Sequence, residues 1–149
     1  MSDINKKIEE SLQDMASNHV FVYGTLKKGF RAYSLLKGSY FLGKGLTEPG
    51  YSMVSLGFPM VLPSKDNGHR VQGEVYSVTD LTMGQLDRYE GYPNLYTRDM
   101  VDIELNSGHK VSAWMYVGGE GYHHSMTKRE HVKPNKNGVL EWLQQPSEQ

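Results

Sequence analysis

Turn-forming clusters cut residues 19–117 into short pieces, and this punctuation limits the fold more than any other feature. Glu48-Pro49-Gly50, Gly57-Phe58-Pro59 and the stretch from Pro63 to Gly68 are built from residues that pre-set or permit turn dihedrals. The pieces between them are rich in β-branched and aromatic side chains, which suit a pleated, half-buried surface. Strands are predicted over 19–23, 40–46, 51–55, 60–62 and 71–78. Two longer strands, 96–105 and 110–117, are joined by Asn106-Ser107-Gly108-His109, which has hairpin chemistry. In the first of these, Thr97, Asp99, Val101, Ile103 and Leu105 alternate with Tyr96, Arg98, Met100, Asp102 and Glu104, so one face turns apolar from its middle onward.

Helical periodicity is confined to a few segments. Ile4, Ile8, Leu12 and Met15 recur at helical spacing with charged residues between them, which predicts an amphipathic helix packed on the outside of the domain. A short helix is expected over 30–36, ending at Gly38. Over 79–90, Leu81, Gln85 or Leu86, and Tyr89 give helical spacing, Thr79 or Asp80 can cap the start, and Gly91 can end it in the left-handed conformation. A last short helix is expected over 138–145 around Val139, Leu140, Trp142 and Leu143. The pattern is α+β, with a small mixed or antiparallel sheet closing towards a barrel flanked by helices. The expected division is an appended helix over 1–18, the main domain over 19–118 and a tail over 119–149.

Composition narrows the function classes. A chain of 149 residues fits one domain, and 16 Lys and Arg against 17 Asp and Glu leave a net charge of −1, with no field to attract nucleic acid. The absence of Cys excludes thiol nucleophiles, zinc ribbons and disulfide scaffolds. No apolar run approaches the ~20 residues needed to span a bilayer, and the first residues lack the apolar core of a signal peptide. The expectation is a soluble cytoplasmic protein, without nucleic-acid or membrane partners.

Two segments carry candidate chemistry. The strand at 19–23 runs into Gly24-Thr25-Leu26-Lys27-Lys28-Gly29, which has the Gly-x-x-x-x-Gly outline of a phosphate loop but is followed by Phe30-Arg31 in place of the Lys-Ser or Lys-Thr pair. A nucleotide site thus lacks its magnesium-binding hydroxyl. The other readings are a tight turn, or a nest of backbone N–H groups suited to a carboxylate or oxyanion. In the second segment, Glu90 precedes Gly91 at a helix C-terminus, where the dipole opposes ionisation and raises a carboxyl pKa. The alternative for Glu90 is a solvated side chain on the last turn, while Asp87 and Arg88 are expected to face water or pair locally. His123, His124, Glu130 and His131 match no metal-ligand spacing, and no Gly-x-Ser-x-Gly elbow exists. No metal or cofactor is expected.

Phe21-Val22-Tyr23-Gly24-Thr25-Leu26-Lys27-Lys28-Gly29 resembles the Tyr-Gly-(Ser or Thr)-Leu signature loop of the γ-glutamylcyclotransferase-like (AIG2-like) family. Leu86-Asp87-x-x-Glu90-Gly91 followed by Tyr96-x-Arg98 resembles that family's catalytic helix end and next strand, and Gly73-Glu74-Val75-Tyr76 is similar to the strand before the helix. The resemblance covers about residues 19–118. It implies a small barrel flanked by helices and the release of 5-oxoproline from a small γ-glutamyl amine or γ-glutamyl amino acid. The substrate's own α-amine attacks its γ-carbonyl, so neither cofactor nor enzyme nucleophile is called for. By position, Glu90 is implied as general acid and base, and Tyr23, Gly24, Thr25 and Leu26 as the substrate loop. Tyr96 and Tyr116 are implied as pocket hydroxyls, and Lys27 and Lys28 as solvated. A non-catalytic binder of small molecules or conjugates on the same fold, or a nucleotide binder, are the alternatives; the leaving group and the oligomeric state stay open.

Overall fold

The computed structural model describes residues 18–27, 29, 33–66, 68–126 and 128–143. Five strands close on themselves. They are β1 (Asn18–Val22), β2 (Tyr40–Thr47), β5 (Arg70–Val78), β6 (Tyr96–Leu105) and β7 (Lys110–Gly118), in the spatial order β1-β7-β6-β2-β5, with β5 pairing back onto β1. β1 runs parallel to β7 and every other pairing in the ring is antiparallel, so the barrel is mixed. A separate hairpin of β3 (Tyr51–Ser55) and β4 (Pro59–Pro63) packs against it. The fold class is therefore the expected α+β barrel flanked by helices.

The alternation of side chains builds two cores. Phe21 of β1, Val71 and Val75 of β5, Ile103 and Leu105 of β6, and Ala113, Met115 and Val117 of β7 share one buried cluster inside the ring. Their neighbours Val20, Val22, Tyr76, Val78 and Tyr116 point outward into a second cluster, covered by helix α1 (Asp80–Glu90) through Met83 and Leu86. A period of two thus gives both sides of β1, β5 and β7 an apolar neighbour. The β3–β4 hairpin contributes Met53 and Val61 to the first cluster and Val54, Met60 and Leu62 to the second.

Both ends of α1 are fixed by local chemistry. Thr79 is the N-cap and its hydroxyl accepts the Thr82 N–H at 3.2 Å. Gly91 adopts φ 67° and ψ 34°, its N–H donates to Arg88 O, and the Tyr92 N–H donates to Asp87 O at 2.9 Å. That pair of bonds is a Schellman motif, which absorbs two carbonyls left over by the last turn. The buried stripe differs from the expected one: Leu81 and Tyr89 are exposed, whereas Met83 and Leu86 are buried. Glu90 continues that stripe at the next four-residue step, which turns its side chain inward rather than to solvent.

Three further expectations need correction or fall outside the described residues. The short helix over 30–36 is a 3-10 turn at Tyr33–Leu36, and residues 30–32 are not described. The helix expected over 138–145 is instead strand β8 (Val139–Leu140), with no regular structure over 141–143, and residues 144–145 are not described. The cause is tertiary: the register of β1 on β5 stops at Glu74, and Val139 and Leu140 pair in parallel with Arg70 and Val71 beyond it. The amphipathic helix expected around Ile4, Ile8, Leu12 and Met15 lies outside the described residues. A 3-10 turn (Glu120–Tyr122) and the one-turn helix α2 (His123–Met126) follow β7. No helix among the described residues is long and apolar enough to cross a membrane.

Candidate active site

The site begins where β1 runs out of pairing. After Val22 the chain turns over the barrel end through Tyr23, Gly24, Thr25 and Leu26, and the Lys27 N–H closes the turn on Gly24 O at 3.0 Å. Such a turn uses only its first carbonyl and last amide, so the amides of Thr25 and Leu26 take no part in it. Gly24 is required by space rather than by dihedral angle. A Cβ there would lie 2.6 Å from Pro59 Cγ, inside contact distance of a rigid ring.

This loop, the end of α1 and the starts of β4 and β6 enclose a cavity of about 270 Å³. Tyr23, Gly24, Thr25, Leu26, Glu90, Tyr96 and Tyr116 all line it, so every site residue inferred from the sequence meets at one place. Phe21, Val22, Phe58, Pro59, Tyr89 and Leu95 complete the wall. Glu90 carries the one carboxyl among these residues, which include no Lys, Arg or His. Burial pushes its carboxyl up from 4.5 to about 7. The helix C-terminus acts in the same direction.

Three of the four lining tyrosines, Tyr23, Tyr96 and Tyr116, have already committed their protons. Tyr23 donates to Tyr116 O at 2.7 Å, Tyr96 donates to Pro59 O at 2.5 Å, and Tyr116 donates to Asp87 Oδ1 at 2.6 Å. Burial raises all three phenols, most directly disfavouring a phenolate next to Glu90. What Tyr96 and Tyr116 retain for a ligand is therefore oxygen lone pairs. At the cavity rim, Thr25 Oγ1 and Tyr89 Oη are 2.9 Å apart, linking the loop to α1.

Asp87 is neither solvated nor locally paired. It receives a two-pronged contact from Arg98 of β6, Nε at 3.0 Å from Oδ1 and an Nη at 3.2 Å from Oδ2, while the Arg98 guanidinium lies over the rings of Trp114 and Tyr92. The pair holds the Tyr116 hydroxyl from the helix side. Its sequence signal was present in the three-residue step from Asp87 to Glu90, which places both on neighbouring positions of one helix face. The walls formed by Phe58, Pro59 and Leu95 had no local signal, since they reach the loop only through the closed barrel. Lys27 is also not solvated: it is buried and donates to Trp142 O. Lys28 lies outside the described residues. Among the described residues no three His, Asp or Glu side chains converge as a metal site, and His123 instead points Nε2 at Gly118 O, 2.8 Å away.

Comparison with known proteins places this architecture. The crystal structure of an AIG2-like protein from Mus musculus matches with a TM-score of 0.67 at 24% identity, over 87% of this chain and 97% of that one, which shows a common fold. The model of the family described as gamma-glutamyl cyclotransferase, AIG2-like, matches residues 20–138. A Methanocaldococcus jannaschii protein named provisionally as a gamma-glutamylcyclotransferase is 43% identical over 99 residues, 66% of this chain and 82% of its own. The gamma-glutamylaminecyclotransferase of Rattus norvegicus is 32% identical over 111 residues, 69% of this chain and 70% of its own. The chain thus belongs to the gamma-glutamyl cyclotransferase, AIG2-like family and is a cyclotransferase enzyme.

Proposed function

We propose that the enzyme releases 5-oxoproline from a γ-glutamyl amine, with Glu90 as general base and then general acid. The observation that carries this reading is the convergence of a half-buried carboxyl, poised near neutral pH, with the Tyr23–Leu26 loop across one largely apolar cavity. Glu90 takes a proton from the substrate's α-ammonium. The freed amine attacks the γ-carbonyl carbon, Glu90 returns the proton to the leaving nitrogen as its bond breaks, and the second proton of the attacking nitrogen passes by way of Glu90 to the departing amine, which leaves as an ammonium beside the five-membered lactam. The carbonyl oxygen gains charge during the attack, and the amides of Thr25 and Leu26 are the donors that the turn leaves available for it or for the α-carboxylate. Tyr96 and Tyr116 offer lone pairs, which suit the ammonium rather than the oxyanion.

The lining also discriminates between leaving groups. An amino-acid leaving group brings another carboxylate into a cavity whose described lining residues include Glu90 and no cation, an arrangement that costs desolvation without a compensating partner among them. A neutral or cationic amine meets no such penalty. The same argument opposes a nucleoside triphosphate, whose charges meet no cation among the described lining residues, Lys27 being turned to Trp142 O. The test is a panel of γ-glutamyl amines, γ-glutamyl amino acids and glutathione assayed for 5-oxoproline. Turnover confined to the amines supports the reading; preference for the amino acids or glutathione rejects the leaving-group assignment, and no release from any of them rejects the activity.

A further inference from the structure

Lys27 belongs to the signature loop and is left unused by the proposed reaction. It follows Leu26 directly, yet it is only 8% exposed and is not among the residues lining the cavity. Its Nζ donates at 2.7 Å to the backbone carbonyl of Trp142, 115 residues away. That carbonyl belongs to the segment 139–143, which pairs with β5 through Val139 and Leu140 and inserts Trp142 into the buried cluster containing Phe21 and Tyr23. The family match ends at residue 138, so this segment lies beyond what the family model describes.

Main chain and side chain of Lys27 act on the same turn. The N–H closes the turn on Gly24, and the ammonium fastens its far end to a segment rooted in the barrel. Thr25 and Leu26, whose amides the reaction calls on, lie between those two anchors. An ammonium–carbonyl bond away from water is a charge-assisted hydrogen bond, stronger than a neutral one and costly to leave unmade.

We propose that Lys27 is a positioning residue: bound to Trp142 O, it holds the Gly24–Lys27 turn in its substrate-binding geometry, which makes the segment 139–143 part of the active-site framework. The inference rests on the reading of that turn as the substrate cradle. The test compares full-length Lys27→Met, which cannot donate, with Lys27→Arg, which keeps a charged donor. In the Met variant, amide order parameters at Gly24, Thr25 and Leu26 should fall from the rigid-backbone value of about 0.85 to below about 0.6, with β6 and β7 unchanged. KM should rise about tenfold or more, the scale of one lost bond to a charged group. The acid limb of the kcat/KM profile should keep its inflection near 7, because Glu90 stands on another element. The Arg variant should restore most of the loop order and of KM. Unaltered loop order and KM in the Met variant would overturn the proposal, as would a loosening that spreads through β6 and β7, which would make Lys27 a staple of the whole fold. If the wild-type chain releases no 5-oxoproline, the functional reading fails, while the order parameters still decide whether the anchor exists.

Discussion

Glu90 and Gly24 are the two single residues on which the site turns, and each has a measurable consequence. Burial of Glu90 stabilises its protonated form, so the folded state binds a proton that the unfolded chain releases between its ordinary value of 4.5 and about 7. Stability from this group is therefore present at acid pH and lost as pH rises through that window. Glu90→Gln should melt higher than wild type at pH 8 and no higher at pH 4; equal melting temperatures across the range would contradict the burial. Activity runs the opposite way, because the proposed base must be ionised: kcat/KM should fall about tenfold for each pH unit below about 7. A flat profile down to pH 5 would exclude a carboxyl with that environment as the base. At Gly24 the nearest neighbour is the Pro59 ring, so Gly24→Val must displace either the loop or the start of β4. It should raise KM strongly with the circular dichroism spectrum preserved, and wild-type kinetics in that variant would detach the loop from the site.

At the level of elements, α1 is a lever whose inner end carries the carboxyl and whose outer end is held by Thr79. The cap is worth about 1 kcal/mol by the usual cost of removing a Ser or Thr N-cap, so Thr79→Ala should lower the unfolding free energy by roughly that amount. With the Schellman turn at Gly91 intact, kcat should be unchanged, and a large loss of kcat would mean that the two ends are coupled. Much of this element was legible: Thr79, Glu90 and Gly91 signalled its limits because capping is local chemistry. Its buried face was misread, since Leu81 and Tyr89 satisfy helical spacing as well as Met83 and Leu86 do, and only the barrel decides which stripe meets it. The same reason explains Val139-Leu140. An apolar run that spacing alone reads as helix becomes a strand because β5 offers backbone partners beyond the end of β1. Asp87 and Lys27 were read as solvated or locally paired because their partners, Arg98, Tyr116 and Trp142, are distant in sequence or reached only through tertiary closure.

Across the whole molecule, the closed barrel brings the end of β1, the end of α1 and the β3–β4 hairpin to one rim, and the described residues lining the cavity there include a carboxyl and no cation. Strand closure explains why two motifs more than sixty residues apart, around Thr25 and Tyr89, stand within hydrogen-bond distance. In the proposed reaction the site moves protons and positions one molecule against itself, and proximity of that kind replaces much of what a nucleophile would supply. The central claim is that Glu90 shuttles the proton of that intramolecular attack. It is tested most directly by measuring 5-oxoproline release from a γ-glutamyl amine with the purified full chain and with Glu90→Gln of unchanged circular dichroism. The account predicts turnover by the wild type and a loss of ~10²–10⁴ in the Gln variant, the range of general acid–base catalysis. A Gln variant within about threefold of wild type, far short of that range, would contradict it.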